Sequence, residues 1–151
     1  MDSPIQSLEY TDEATKQMLE NVRKRKDKFD KAEKKHFISI YATLLLALIY
    51  FVYFYFTIAK YYSYSFMAMF TASVNDQVNI VLLALTIIGY GSMNVLKQQK
   101  EKKEKEYQEL RCEIVDRSKD LWKKEEQWNN RHIVFDVMKK AYDINLYHEK
   151  K

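Results

Sequence analysis

Residues 37 to 59, FISIYATLLLALIYFVYFYFTIA, run for 23 positions without a charged side chain. A helix rises about 1.5 Å per residue, so about 20 residues cross a hydrocarbon layer of about 30 Å. The stretch is therefore long enough to span a bilayer, and it is apolar on every side. A soluble core helix is the competing reading, but a chain of 151 residues leaves too little to cover it all round. A secretory signal is another, and it fails on two counts. Thirty-six residues, seventeen of them charged, precede the run, and it exceeds an apolar signal core of about 7 to 15 residues.

Working outward, a second uncharged run follows at Val78 to Leu96, VNIVLLALTIIGYGSMNVL, 19 residues long and within the window of about 17 to 25 for a span. Asn79 and Asn94 lie near its ends, where headgroup water lowers their desolvation cost. Gly89, Gly91 and Ser92 offer a smooth patch for a neighbouring helix, matched by Thr43 and Ala47 on the first run. From residue 37 to 96 the only charges are Lys60 and Asp76, whereas the remaining 91 residues hold 24 basic and 20 acidic groups. The overall averages, 47% hydrophobic, 30% charged and mean hydropathy −0.49, blend two chains of opposite character. Two glycines and one proline exclude phosphate-cradling loops and turn-rich β-sandwiches. The length excludes a multi-domain enzyme.

The flanks set an orientation. Arg23 to Lys35, RKRKDKFDKAEKK, carries eight basic and three acidic groups, and Lys97 to Lys105, KQQKEKKEK, carries five and two. Lysine and arginine resist translocation, so both flanks, and with them both termini, are expected in the cytoplasm. Ten of the seventeen residues from Tyr50 to Phe66 are Tyr or Phe, a composition suited to the headgroup level. The outer loop, Tyr61 to Asp76, is expected to lie on or in the outer leaflet. The basic residues Arg23, Lys24, Arg25, Lys26, Lys31, Lys34, Lys35, Lys97, Lys100, Lys102 and Lys103 are the candidate contacts to anionic lipid headgroups, each contributing about 1 kcal/mol near the surface. RKRK could also meet nucleic acid, but the membrane already supplies phosphate, and no nucleic-acid partner is expected.

Beyond the flanks the arms read as helices. Thr11, followed by Asp12 and Glu13, marks a helix start. Leu8, Thr15, Val22 and Phe29 recur every seven residues, as do Tyr107, Ile114, Leu121, Trp128, Phe135 and Tyr142, which form the candidate interaction stripe. The intervening d positions are Leu110, Arg117, Lys124, Arg131 and Met138, too cationic for a strong zipper. If the spans leave the bilayer together, residue i of the first arm faces about 133 minus i of the second. Arg23 to Lys26 then meet Tyr107 to Leu110 with Glu106 and Glu109 beside them, and Glu9, Asp12 and Glu13 approach Lys119, Lys123 and Lys124. This describes an antiparallel stalk about 25 residues, or about 37 Å, deep; independent solvated helices are the alternative. Near the membrane the facing lysines repel. Asn129 and Asn130 are the expected break before a last amphipathic helix, whose face of Ile133, Val134, Val137, Met138 and Ala141 could fold onto the stalk, bind a partner or meet lipid.

The sequence shows no catalytic signature. Cys112 is alone, and His36, His132 and His148 have no metal-ligand spacing. No charge sits at the middle of either span, so the usual marker of proton relays is missing. Hydroxyls at Thr43, Thr57, Thr86 and Ser92 could line a pore in an oligomer, although such groups commonly bond back to helix carbonyls. No catalytic residue, metal or cofactor is expected.

The charged arm, KKHFISIYATLLLALIYFVYFYF, the short loop, NIVLLALTIIGYGSMNVLKQQKEKKEKEYQEL and the tryptophan-bearing tail together resemble the YpbF-like family of small proteins of Gram-positive, spore-forming bacteria. The resemblance implies a plasma-membrane protein and carries no site residues. The sequence therefore predicts an all-α membrane protein, a two-span transmembrane helical hairpin extended by charged cytoplasmic helices. Its divisions are 1–36, 37–59, 60–76, 77–96, 97–128 and 129–151. The expected function is non-enzymatic: cytoplasmic helices presented to an unknown membrane or cytoplasmic protein, or to a homo-oligomer. The alternative is a channel or transporter accessory subunit made of oligomerised hairpins.

Overall fold

A computed structural model describes residues 4–9 and 11–147; His148 and the end of the expected last helix lie outside them. The described residues form helices and connecting turns, with no strand. Helix α1, Glu13–Phe54, continues through a π-helical turn, Tyr55–Ala59, into a last turn, Lys60–Tyr62. Then come α2, Phe66–Asn75; α3, Gln77–Asp116; α4, Ser118–Leu121; and α5, Glu125–Tyr142. The chain divides into two compact units. An apolar one comprises Ala32–Lys100, and a charged one comprises the segments up to Lys31 and from Glu101.

In the apolar unit, half-buried or buried positions trace a seam on each long helix. On α1 they include Ser39, Thr43, Leu46, Tyr50 and Tyr53, and on α3 Asn79, Leu82, Thr86, Gly89, Met93 and Leu96. The spacing alternates between three and four, the face by which helices pack at small crossing angles. The contacts run low number to high: Glu33 with Lys100 at 3.6 Å, Thr43 with Gly89, and the Tyr53 hydroxyl donating to Asp76 at 2.7 Å. This is the pairing of i with about 133 minus i that the sequence leads one to expect. A Cβ on Gly89 would lie 3.3 Å from Thr43 Oγ1 and 3.7 Å from Leu46 Cδ1, whereas one on Gly91 would meet nothing within 4 Å. Gly89→Val should therefore destabilise the seam by about 1 to 3 kcal/mol, the usual cost of overpacking. Gly91→Val should not. Comparison of the two variants' unfolding temperatures in detergent checks this.

The charged unit has its own core: Leu19, Val22 and Phe29 from α1, Tyr107 and Ile114 from α3, and Val134, Phe135 and Met138 from α5. Ile5, Leu8, Trp122, Ile144 and Leu146 close it from the connecting segments. The two arms are not independent helices. Arg25 Nη1 donates to the Glu106 carbonyl at 2.8 Å, Phe29 stacks on Tyr107 with centroids 6.1 Å apart, and Thr15 Oγ1 reaches the Leu121 carbonyl at 3.4 Å. With α5 packed against both arms, the stalk expected from sequence is a three-helix bundle. After α5, Asp143 turns left-handed (φ 55°), a conformation that short polar side chains tolerate. Its N–H and that of Ile144 return to the Lys139 and Met138 carbonyls. The following strap, residues 143–147, carries Ile144 and Leu146 into the core.

Three local expectations are corrected. Asp12, not Thr11, caps α1: its carboxylate accepts the Thr15 N–H at 3.0 Å, while the Thr11 hydroxyl is buried without a partner among the described residues. The second long helix breaks at Arg117 and again at Trp122–Lys124, and Asn129 and Asn130 sit inside α5. Burial of Trp122 places the break where no turn residue announces it. That break also carries Lys123 and Lys124 off the helix, and among the described residues no ion pair joins Lys119, Lys123 or Lys124 to Glu9, Asp12 or Glu13. Within the segment from Tyr61 to Asp76, whose conformation the sequence leaves open, Ser65 starts the helix α2.

Candidate functional site

The stripe of aromatic and aliphatic residues is used largely by the chain itself. Tyr107, Ile114 and Phe135 are buried, and Leu121, Trp128 and Tyr142 are half-buried against the same core. The seven-residue step holds through Ile114. It then loses phase, because Arg117 (φ −90°, ψ 13°) and Trp122 (φ −116°, ψ 68°) leave helical geometry. Trp122 is buried in place of Leu121, with its indole edge-on to Phe135 at 5.5 Å. Among the described residues of the charged unit, the large hydrophobic side chains that stay exposed are Ile133 on α5 and Tyr147 on the strap.

The basic cluster divides into tied and free groups. Lys26 is drawn into the bundle, its ammonium 5.5 Å from the Phe29 ring centroid and 5.8 Å from that of Tyr107. Burial works against its charge, but the Asp30 carboxylate at 2.8 Å outweighs it and holds the lysine above its ordinary pKa. Arg23 lies over Tyr142 and pairs with Glu20; Arg25 is spent on the Glu106 carbonyl. Lys31 pairs with Asp27 at 3.6 Å and Lys103 with Glu106 at 2.9 Å. Lys100 reaches Glu33 and lies over Phe37, so Glu33 relieves part of the repulsion expected among the facing lysines. Lys97 also has a partner. Lys24, Lys34, Lys35 and Lys102 are exposed and hold no ion pair among the described residues.

Two carboxylates in the charged unit are held below the ordinary glutamate range, Glu20 by its hydrogen bond from Arg23 and Glu106 by that from Lys103. A lowered folded-state pKa means that their contribution is complete above the unfolded value of 4.5 and is lost as pH falls through the folded values. The bundle should therefore melt at a lower temperature at about pH 3 than at pH 7. Circular dichroism melts at the two pH values check this; both groups are near the surface, so the difference is expected to be small.

Sequence reasoning missed Arg111, which looks like any solvated helical arginine. It is buried, donating to Gln108 Oε1 at 2.9 Å and to the Asn145 carbonyl at 2.8 Å, and so pins the strap. Beside the strap lies a cleft of about 450 Å³ whose walls include Val115, Ser118, Trp128, His132 and Tyr147. Arg131 stacks on Trp128 at 3.7 Å. Cys112 is a half-buried thiol. Among the described residues no three His, Cys, Asp or Glu side chains come together in a way that could hold a metal ion.

Residues 18–149 match the profile of a family described as "Protein of unknown function (DUF2663)". The chain is 31% identical over 147 residues to the uncharacterized protein YpbF of Bacillus subtilis (strain 168), covering 95% of this chain and 94% of that one. No solved structure matches it.

Proposed function

This chain belongs to the DUF2663 family, and within it we propose for the protein the role of a non-enzymatic integral membrane protein. In this reading a two-span hairpin anchors it, and its cytoplasmic helices are presented to another protein or to a second copy. The observation that carries the reading is where the apolar surface lies. Large aliphatic side chains stand exposed around both long apolar helices, Leu48 at 61% and Ile88 at 63% among them, while the charged segments close a core of their own. Soluble monomers rarely expose apolar patches beyond a few hundred Å², and a helix in hydrocarbon requires such a surface.

The basic flanks favour the cytoplasmic side for both termini. Lys24, Lys34, Lys35 and Lys102, which hold no ion pair among the described residues, are the groups best suited to anionic headgroups. The alternative, a channel or transporter accessory subunit of oligomerised hairpins, draws less support. Thr43 and Thr86 donate to the Ser39 and Leu82 carbonyls of their own helices at 2.8 and 2.9 Å, leaving fewer hydroxyls to line a pore.

Photocrosslinking of the full-length protein in native membranes tests the proposal. A photoreactive residue at Ile133 or Tyr147 should give a discrete adduct with a partner or a second copy, and one at Leu48 should give lipid adducts. Absence of any protein adduct from exposed positions around the whole charged unit would contradict the interaction role.

A further inference from the structure

Helix α2, Phe66–Asn75, has no charged side chain, and at about 15 Å it is too short to cross a bilayer. Phe66, Phe70 and Val74, four residues apart, form one face with Met67 beside them, and all four are more than half exposed. The opposite side, Ala68, Met69, Ala72 and Ser73, is half-buried within the apolar unit. Among the described residues nothing covers the exposed face.

Several polar groups at the ends of α2 and within it find partners inside the protein. At its start the Ala68 N–H reaches Ser65 Oγ at 3.5 Å and the Met69 N–H the Ser65 carbonyl at 3.0 Å. At its end the Ala72 carbonyl accepts from the Asp76 N–H at 3.1 Å and the Ser73 carbonyl from Asn79 Nδ2 at 3.0 Å. The two hydroxyls within it turn inward as well, Thr71 to the Met67 carbonyl at 2.9 Å and Ser73 to the Met69 carbonyl at 2.8 Å.

We propose that α2 is an interfacial helix, with the face of Phe66, Met67, Phe70 and Val74 set among the acyl chains of the outer leaflet. The proposal rests on the membrane-spanning reading. Lipid is the occupant for two reasons. The exposed phenols of Tyr61, Tyr62 and Tyr64 lead into the helix, as expected where a chain re-enters the headgroup layer. Four side chains are also too few for a dimer, whose stable interfaces bury about 1,200 to 2,000 Å². An amphipathic helix lying in the plane of the interface sinks its apolar face about 5 to 10 Å. The outer connection is then a third membrane contact rather than a passive link.

The test uses the full-length chain with Cys112→Ser, reconstituted in vesicles of phosphatidylethanolamine and phosphatidylglycerol, with single nitroxide labels at Phe70→Cys, Leu48→Cys or Lys140→Cys. Collision with oxygen, which concentrates in hydrocarbon, is compared with collision with a water-soluble nickel chelate. The label at 70 should resemble the one at 48, with oxygen favoured several-fold, and differ from the one at 140. If position 48 reads as lipid while position 70 reads as water, the interfacial helix is wrong and the spans stand. If both read as water, the membrane reading fails and takes this one with it. Dipolar broadening between labels at 70 at high lipid-to-protein ratio would assign the face to a second copy and overturn the proposal.

Discussion

On the proposed membrane-spanning reading, replacing Leu48 with arginine should cost this protein its stable place in the bilayer. Leu48 is 61% exposed and lies at the middle of the uncharged run 37–59. On the surface of a protein in water such a change usually stays within about ±0.5 kcal/mol. At the centre of a membrane helix, arginine is unfavourable by about 2.5 to 3.5 kcal/mol on insertion scales. The two environments thus predict shifts that differ by about 2 to 3 kcal/mol, more than tenfold in an equilibrium constant. The membrane account expects Leu48→Arg to shift protein from the carbonate-resistant pellet towards the supernatant or towards degradation, and Leu48→Ile to leave it in place.

The second large effect belongs to the charged unit. Trp122 is 1% exposed and sits on α4's C-terminal side, where it plugs the bundle against Phe135. Trp122→Ala should destabilise that unit by about 3 to 5 kcal/mol, the usual range for removing a buried tryptophan. Small domains total about 5 to 15 kcal/mol, so about a fifth or more of its stability would be lost. The indole Nε1 has no partner among the described residues, so Trp122→Phe forfeits packing volume but no hydrogen bond, and it should be milder. Limited proteolysis reads the difference directly, since Lys123 and Lys124 follow the tryptophan. Rapid cleavage there is expected in the alanine variant and slow cleavage in the phenylalanine variant.

The long elements were legible from residues 37–59 and 78–96 because an uncharged run of that length needs no tertiary context to be recognised. The antiparallel register was legible for a related reason. Two helices joined by a short connection have few ways to align, and Glu33 with Lys100 or Arg25 with Glu106 follow from the connection's length. What escaped was decided by packing. Nothing local in LWKK marks a helix break, and only the burial of Trp122 accounts for it. Asn129 and Asn130 carry a turn signal that α5 overrides. Ile144 and Leu146 enter the core from a non-helical strap, outside any seven-residue repeat, and Arg111 is buried by that same strap. Within the outer segment, Ser65 before FMAMFTASVN is a helix start that the surrounding aromatic residues obscure.

The central claim is that the chain crosses the bilayer twice and keeps both charged arms in the cytoplasm. Its most direct test is labelling of sealed cells with a membrane-impermeant maleimide, using Cys112→Ser proteins that carry one new cysteine at Lys24, Tyr64 or Lys140. The account predicts labelling of Tyr64→Cys in intact cells, and of Lys24→Cys and Lys140→Cys only after permeabilisation. Labelling of either arm in intact cells, with Tyr64→Cys protected, would contradict it.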